Sequence, residues 1–258
     1  MPVVIVSGFR GGVGSTTIVS NLASALQRAD CQTLSIDLHP DNQLCVHYGV
    51  DQEIPTGWAQ AIVDGDDWKR CAFQSADGRR ILPFGELSHF QFAQFREALP
   101  ASIAAMAKIL APQPDEWLLV DMPVDRHRAL EENTITRLYQ EIYALADITL
   151  YVINPELGCY RLLKQAALNG ESLSDKQLYV INGVNTNSSL SMDIELLLRA
   201  EFSPQMLPVS IHQDTALPEA AAFMAAVSEY MPDSKSASDF HSLALWLLGR
   251  FGKGGAGE

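Results

Sequence analysis

Short runs of apolar and β-branched residues alternate along the chain with longer stretches whose apolar residues recur three or four positions apart. Such runs are typical of buried parallel strands, and the longer stretches are typical of amphipathic helices. The alternation predicts an α/β fold, a mostly parallel twisted sheet with helices on both faces. The runs that predict strands are Val3–Val6, Thr33–Ile36, Arg80–Pro83, Trp117–Val120, Ile148–Ile153, Gln177–Ile181 and Met206–Val209.

The organisation of the 258 residues indicates one domain, because the chain contains no internal repeat and no clear linker. We expect this domain to cover residues 1–251 and to be followed by a flexible tail, Gly252–Glu258. The stretch from Gly49 to Arg79 is the predicted insertion, with a short helix at Gly57–Val63. Pro112–Asp115 and Asn185–Ser189 are predicted surface loops.

The formal net charge of −13 argues against nonspecific electrostatic binding to nucleic acid or anionic lipid. Between Ala29 and Trp68 there is no Lys or Arg, and we interpret most of the Asp and Glu residues there as solvated surface. The four cysteines show no paired spacing, so neither a disulfide framework nor a zinc site is indicated. With no signal peptide and no apolar run of ~18 residues, we expect a cytoplasmic protein.

A glycine-rich segment follows the first predicted strand and precedes a helical stretch. Its sequence resembles the phosphate-binding loop G-x-x-x-x-G-K-[ST], with Gly14 and Thr16 in their places. Ser15 stands where the lysine is expected, and Phe9 where the first glycine is expected. The competing interpretation is a tight glycine turn between two core elements. We predict that the segment binds nucleotide phosphates through Phe9, Arg10, Gly11, Gly12, Val13, Gly14, Ser15, Thr16 and Thr17.

Two aspartates emerge from apolar strands, Asp37 after the second and Asp121 after Trp117–Val120. Ligands of open α/β sheets bind outside the carboxyl ends of the strands, where both residues fall. An aspartate in this position beside a P-loop holds Mg²⁺ directly or through water. We therefore predict a magnesium site formed by Thr16, Asp37 and Asp121. The alternative for Asp121 is a cap on the following helix.

Several strings together resemble the MinD/ParA family of P-loop ATPases over almost the whole chain. They are Arg10-Gly11-Gly12-Val13-Gly14, Asn21-Leu22-Ala23, Asp37-x-His39-Pro40, Asp121-x-Pro123, Val180-Ile181-Asn182 and Ile211-His212-Gln213-Asp214. Further strings are similar to the BcsQ family, its cellulose-biosynthesis branch: Pro40-Asp41-Asn42, Gly57-Trp58-Ala59, Asp64-Gly65-x-Asp67-Trp68, Leu82-Pro83-Phe84-Gly85 and Ser228-Glu229-Tyr230.

The resemblance implies ATP and Mg²⁺ as cofactors and a homodimer that encloses the nucleotide. The family carries a lysine at the position of Arg10, which reaches the partner's phosphates, and a second at the position of Ser15. The family's water-orienting aspartate falls at His39, which is a possible but not a firm catalytic residue. Its adenine-contacting asparagine matches Asn182, whose alternative role is a turn with Gly183, and Gln213 or Asp214 lies on the loop that closes over the base.

The implied function is that of an ATP-binding assembly or regulatory subunit of the bacterial cellulose synthesis and secretion machine, with slow or no hydrolysis. BcsR and BcsE-like proteins are the implied cytosolic partners, and membrane contact is expected through partners. The alternative is an active MinD/ParA-type ATPase that positions a cellular complex. An iron–sulfur reductase is disfavoured, because no cysteine lies near Asp121.

The resemblance raises a question about the C-terminal helix, because MinD proteins end in a helix that binds membranes. Here the apolar face carries Phe240, Leu243, Ala244, Leu247, Leu248 and Phe251, but the polar face offers few cations beyond Arg250 and Lys253. Membrane-surface helices are usually rich in Lys and Arg. We therefore expect this helix to pack on the domain or to dock a small partner.

Overall fold

The computed structural model describes residues 2–50, 56–98, 116–124, 134–170 and 174–251. The predicted loop Pro112–Asp115, the predicted tail and residues 51–55 of the predicted insertion lie outside these ranges.

Within the described residues, eight strands make up the sheet. They are β1 (Val3–Gly8), β2 (Gln32–Asp37), β3 (Phe73–Gln74), β4 (Arg80–Leu82), β5 (Glu116–Met122), β6 (Ile148–Ile153), β7 (Gln177–Val184) and β8 (Met206–His212). Their order is β3-β4-β2-β5-β1-β6-β7-β8, and every neighbouring pair is parallel except β3–β4. The predicted mostly parallel sheet is confirmed. The two-residue strand β3 was not predicted, because it is too short to produce a pattern.

Eight α-helices have defined bounds in the described part of the chain, and residues 89–98 are also helical. The helices are α1 (Ser15–Gln27), α2 (Trp58–Asp64), α3 (Thr134–Leu145), α4 (Leu157–Leu168), α5 (Ser189–Glu201), α6 (Ala216–Ala222), α7 (Val227–Tyr230) and α8 (Lys235–Phe251). The short helix predicted inside the insertion is α2.

The strands have two buried faces, and successive side chains of β1 enter two different cores. Val4 and Val6 pack with α1 and α8, whereas Val3 and Ile5 pack on the opposite side of the sheet with α2 and α3. This follows from the period of two in a strand, and it explains why β1 is apolar at consecutive positions. The N-terminus of α1 is thereby fixed at the carboxyl end of β1.

The C-terminal helix α8 is part of the core. Phe240, Leu243, Ala244 and Leu247 are each no more than 1% exposed, against α1 and β8. The predicted packing on the domain is therefore confirmed. Among the described residues, no helix combines the length and apolar character needed to cross a membrane.

Candidate nucleotide-binding site

The loop between β1 and α1 is shaped by glycines. Gly12 and Gly14 have φ angles of 75° and 89°, in the left-handed region that glycine adopts readily. A Cβ on Gly14 would lie 2.5 Å from Asn182 Nδ2, so only glycine allows that side chain so close. Val13 is buried in the core, while Gly11 and Gly12 are exposed. The loop thus presents backbone to solvent directly before the N-terminus of α1, where orphan N–H groups favour an anion.

Phe9 does not have the position expected of a phosphate-binding residue. Its side chain is 7% exposed and meets the ring of Tyr179 edge-on at a centroid distance of 5.7 Å. Its backbone N–H donates to the carbonyl of Val152 at 2.8 Å. Because both the ring and the amide are engaged inside the protein, Phe9 anchors the start of the loop to the core. Sequence spacing alone did not separate this packing residue from the glycines that follow it.

The two predicted metal aspartates lie side by side. Asp37 and Asp121 are paired in the register of β2 and β5, and they are 0% and 1% exposed. Asp37 accepts hydrogen bonds from the N–H groups of His39 at 2.8 Å and Leu44 at 3.1 Å. Burial, and then the neighbouring Asp121, raise the pKa of Asp37 well above its usual range. Burial raises the pKa of Asp121 to about 7, against the opposing effect of a hydrogen bond with Thr16.

This arrangement fits a hard cation. Asp121 Oδ2 is buried and has no hydrogen-bond partner among the residues that the structure describes, which is costly unless another group compensates for it. Oxygen atoms of carboxylates and hydroxyls are the donors that Mg²⁺ takes from proteins. The structure places Thr16, Asp37 and Asp121 together, so the predicted donor set is compatible with magnesium. Among the described residues, no group of three or more His, Cys, Asp or Glu side chains forms a metal site elsewhere.

The Arg10 side chain makes hydrogen bonds and an ion pair with residues of the same protomer. Its guanidinium pairs with the carboxylate of Glu156, Nε donates to Cys159 Sγ at 3.2 Å, and Nη1 donates to the Gly11 carbonyl at 3.4 Å. Its side chain is 35% exposed, so the arginine remains accessible at the surface of the loop. Glu156 and Cys159 were not singled out from the sequence. The position of Glu156, shortly after β6, is a signal that could have identified it.

His39 lies in the turn after β2. Its N–H binds Asp37, and its Nδ1 accepts from the N–H of Asp41 at 3.3 Å, with the Asp41 carboxylate at 3.4 Å. The imidazole is thus held beside Asp41 in a local turn. These contacts account for a positioning role, and nothing in them supports a catalytic one.

A cavity of about 350 Å³ opens beside the loop, between the ends of β7 and β8 and helix α6. Asn182 lies at its inner side, where Nδ2 donates to the Val13 carbonyl at 2.7 Å. The structure therefore brings two of the predicted base-contacting residues, Asn182 and Gln213, to a single cavity beside the phosphate loop. Its lining consists of Thr17, Asn182, Gly183, His212, Gln213, Asp214, Thr215, Leu217, Pro218 and Ala221.

Asp214 has a structural task in this cavity. Oδ1 accepts from the Ala216 N–H at 3.0 Å, and Oδ2 accepts from the N–H and hydroxyl of Ser236 at 3.0 and 2.9 Å. Burial opposes its ionisation, but hydrogen bonds from Ser236 and Ala216 outweigh this and lower the pKa of Asp214. The carboxylate fixes the loop to the start of α8, and both of its oxygens are engaged. A direct contact with the base is therefore better assigned to other residues.

Comparison with known proteins agrees with this geometry. The family model described as "Cellulose biosynthesis protein BcsQ" matches residues 1–248. The BcsQ protein of Escherichia coli (strain K12) is 31% identical over 252 residues, which cover 96% of this chain and 94% of that relative.

Solved structures show the same fold. The cell division ATPase MinD of Pyrococcus furiosus has a TM-score of 0.73 at 20% identity, covering 97% of this chain and 99% of that one. The septum site-determining protein MinD of Pyrococcus horikoshii, solved as a complex with Mg-ADP, has a TM-score of 0.68 at 20% identity and covers 95% of both chains. The chain therefore belongs to the BcsQ family of cellulose biosynthesis proteins and has the fold of the MinD/ParA ATPases.

Proposed function

We propose that this protein is an ATP-binding, dimer-forming assembly or regulatory subunit of the bacterial cellulose synthesis and secretion machine. The observation that carries the proposal is the unpartnered Asp121 Oδ2, buried beside Asp37 and Thr16 at the foot of a glycine loop. A buried carboxylate oxygen without a hydrogen-bond donor is suited to bind a cation. The link to cellulose is supported by membership of the BcsQ family.

The proposed ligand is Mg-ATP. The loop residues 10–17 and the N-terminus of α1 would receive the phosphates, and the cavity with Asn182 and Gln213 would receive the base. Thr16, Asp37 and Asp121 would hold Mg²⁺, which when bound neutralises phosphate charge. A structural neighbour solved with Mg-ADP supports this choice of ligand.

Slow or absent hydrolysis is the second part of the proposal. Ser15 supplies no positive charge to the phosphates, and a lysine at this position is a normal component of phosphoryl-transfer sites. His39 is tied to Asp41 in its own turn and offers no carboxylate to orient water. Binding survives these changes, because amide groups and the helix terminus still attract an anion.

The third part is a homodimer closed by Arg10. A guanidinium is permanently charged and pairs with phosphate oxygens in a bidentate manner, so it can take the place of the family's lysine. BcsR and BcsE-like proteins are the proposed partners, and through them the protein would be peripheral to the inner membrane. We assign these roles to a single domain over residues 1–251.

The test measures the oligomeric state and the rate of ATP hydrolysis. Light scattering with ATP, ADP or no nucleotide, together with phosphate release, is expected to give an ATP-dependent dimer without appreciable release. Arg10→Ala should abolish the dimer but keep ATP binding, whereas Arg96→Ala, a change of an exposed arginine elsewhere, should have no effect.

The explanation of slow turnover has a test of its own. The double variant Ser15→Lys/His39→Asp restores both family residues and is expected to release phosphate faster than the wild type. An unchanged rate refutes the explanation based on these two positions. Rapid turnover by the wild type itself would favour a positioning ATPase in place of the proposed scaffold.

A further inference from the structure

The residues that follow β2, numbered 38–44 and here called the aspartate loop, orient the carboxylate of Asp37. The N–H of His39 donates to Oδ1 at 2.8 Å, and the N–H of Leu44 donates to Oδ2 at 3.1 Å. One backbone donor therefore serves each carboxylate oxygen. Because both donors belong to the aspartate loop, the direction of the Asp37 carboxylate depends on where that loop lies.

Asn42 lies between these two donors and connects them. Its N–H donates to the His39 carbonyl at 3.0 Å, and its carbonyl accepts from the Cys45 N–H at 3.3 Å. Its φ angle is 52°, in the left-handed region that asparagine tolerates better than most residues. Its Oδ1 accepts from the N–H groups of Phe84 at 3.1 Å and Gly85 at 3.3 Å. A single side-chain oxygen thus ties the aspartate loop to the segment that follows β4.

The segment that provides these two donors is packed in the core. Phe84 is 2% exposed, and its ring meets the Trp58 ring edge-on at a centroid distance of 5.1 Å. A Cβ on Gly57 would lie 2.1 Å from the Gly85 N atom, so α2 begins in close contact with the segment. The indole N–H of Trp58 donates to the Asp37 carbonyl at 2.8 Å. The end of β2 is therefore fixed to the same packed segment as the aspartate loop.

We propose that Asn42 is a positioning residue of the magnesium site, because it fixes the loop whose N–H groups aim the Asp37 carboxylate. This inference rests on the proposed nucleotide site and adds a residue to it. Without the Asn42 anchor, the two donors are no longer held in place, and the carboxylate must be ordered at the expense of cation binding. Loss of an outer partner of a metal ligand typically costs 10–100-fold in metal affinity. Asn42 acts one step further out, so we expect the lower end, about tenfold.

The test isolates the part of nucleotide affinity that depends on magnesium. Calorimetric titration with ADP, with Mg²⁺ and with EDTA, gives two dissociation constants, and their ratio is the magnesium enhancement. ADP is used because it has no γ-phosphate to lose during the titration. Asn42→Gly keeps the left-handed backbone and removes Oδ1. It is expected to reduce the magnesium enhancement about tenfold and to leave the affinity for ADP in EDTA unchanged.

A rescue variant and a matched control complete the series. Asp41→Asn/Asn42→Asp keeps the net charge of the loop and keeps an acceptor at position 42, so it should retain the magnesium enhancement. Asp41→Asn, measured alone, separates any effect of position 41. Asn169→Gly makes the same substitution at an exposed position after the end of α4 and should also retain the enhancement. A double variant that loses as much as Asn42→Gly, while Asp41→Asn loses nothing, refutes the role of the acceptor.

The wild-type titrations separate the magnesium site from the role of Asn42. If the wild type binds no ADP, the proposed function fails; if it binds ADP equally well with Mg²⁺ and with EDTA, the proposed magnesium site fails. An enhancement that is present in the wild type and unchanged in Asn42→Gly overturns only the role of Asn42. Equal losses of ADP affinity with Mg²⁺ and with EDTA in Asn42→Gly also overturn it, because they indicate a general structural effect.

Discussion

Arg79 is a buried cation between the phosphate-loop helix and the segment that follows Asp37, and we predict that Arg79→Met strongly destabilises the protein. Its guanidinium is fully buried and forms an ion pair with Asp77. It donates to Ser20 Oγ at 2.7 Å and to the His47 carbonyl at 3.1 Å, and it lies 4.5 Å from the centre of the Tyr48 ring. Methionine preserves most of the apolar volume but none of these bonds.

The loss of stability expected for Arg79→Met depends on the contacts that the Asp77 carboxylate retains. The Asp77 side chain is 7% exposed and keeps two nearby donors, the Ser75 hydroxyl and the residue 79 N–H. Removing one partner of a buried ion pair costs about 3–5 kcal/mol, and we expect the lower end because Asp77 keeps these donors. The double variant Asp77→Asn/Arg79→Met removes the stranded charge and should recover at least about 1 kcal/mol.

The assay is urea unfolding followed by circular dichroism, for the wild type, both single variants and the double variant. Lys164→Met is the matched control, because it breaks the exposed ion pair with Glu201 and should leave the midpoint unchanged. Equal midpoints for Arg79→Met and Lys164→Met would refute the reasoning. So would strictly additive effects in the double variant, because they would show no coupling between Arg79 and Asp77.

Three further predictions concern pH, the loop arginine and magnesium. Burial, and then Arg79, lower the pKa of His47 to about 4, so protons bind the unfolded state preferentially below about pH 6.5. The contribution of His47 to stability is therefore complete above that pH and falls by about 2 kcal/mol between pH 7 and pH 5, and it is measured as the difference between the wild type and His47→Gln in urea titrations at each pH. Glu156→Gln frees Arg10 from its ion pair and should lower the ATP-dependent dimer dissociation constant in light scattering without changing nucleotide affinity; weaker dimers would contradict this. Without Mg²⁺, ATP should bind Ser15→Lys about 30-fold more tightly than the wild type, because a lysine at ~8 Å from a phosphate charge in an effective dielectric of ~20 supplies about 2 kcal/mol. Equal affinities of the two proteins in calorimetry without Mg²⁺ would argue against this.

The sheet and the positions of the two strand-end aspartates were predictable because they depend on local patterns. A buried parallel strand is apolar at consecutive positions, and β1, β5 and β6 show this plainly. Asp37 and Asp121 interrupt that pattern where their strands end, so they could be identified without a structure. Ligands of parallel sheets bind beyond the carboxyl ends of the strands, and this rule predicted that the two aspartates lie at the same site.

Other features depend on contacts between distant segments, which no local pattern records. The Arg79 network joins residues up to 59 positions apart, and Arg79 itself looks like a surface cation in the sequence. The environment of His212 depends on Asp239, 27 positions away on another element. Gly57 is similar, since a Cβ there would lie 2.1 Å from the Gly85 N atom. In the sequence it is only a glycine before a short helix.

The charges around the loop explain why the loss of the lysine at Ser15 is compatible with nucleotide binding. The described contacts of Asp37 and Asp121 include no Lys or Arg, so the site has two buried carboxylates and no fixed cation to balance them. Arg10, the cation of the loop itself, is engaged by Glu156. A divalent ion that arrives with the nucleotide can balance the carboxylates, and in the proposed dimer the phosphates of the partner's nucleotide can compete with Glu156 for the guanidinium. Dimer formation and the release of Arg10 would then be linked events, which is what the proposed ATP-dependent assembly requires.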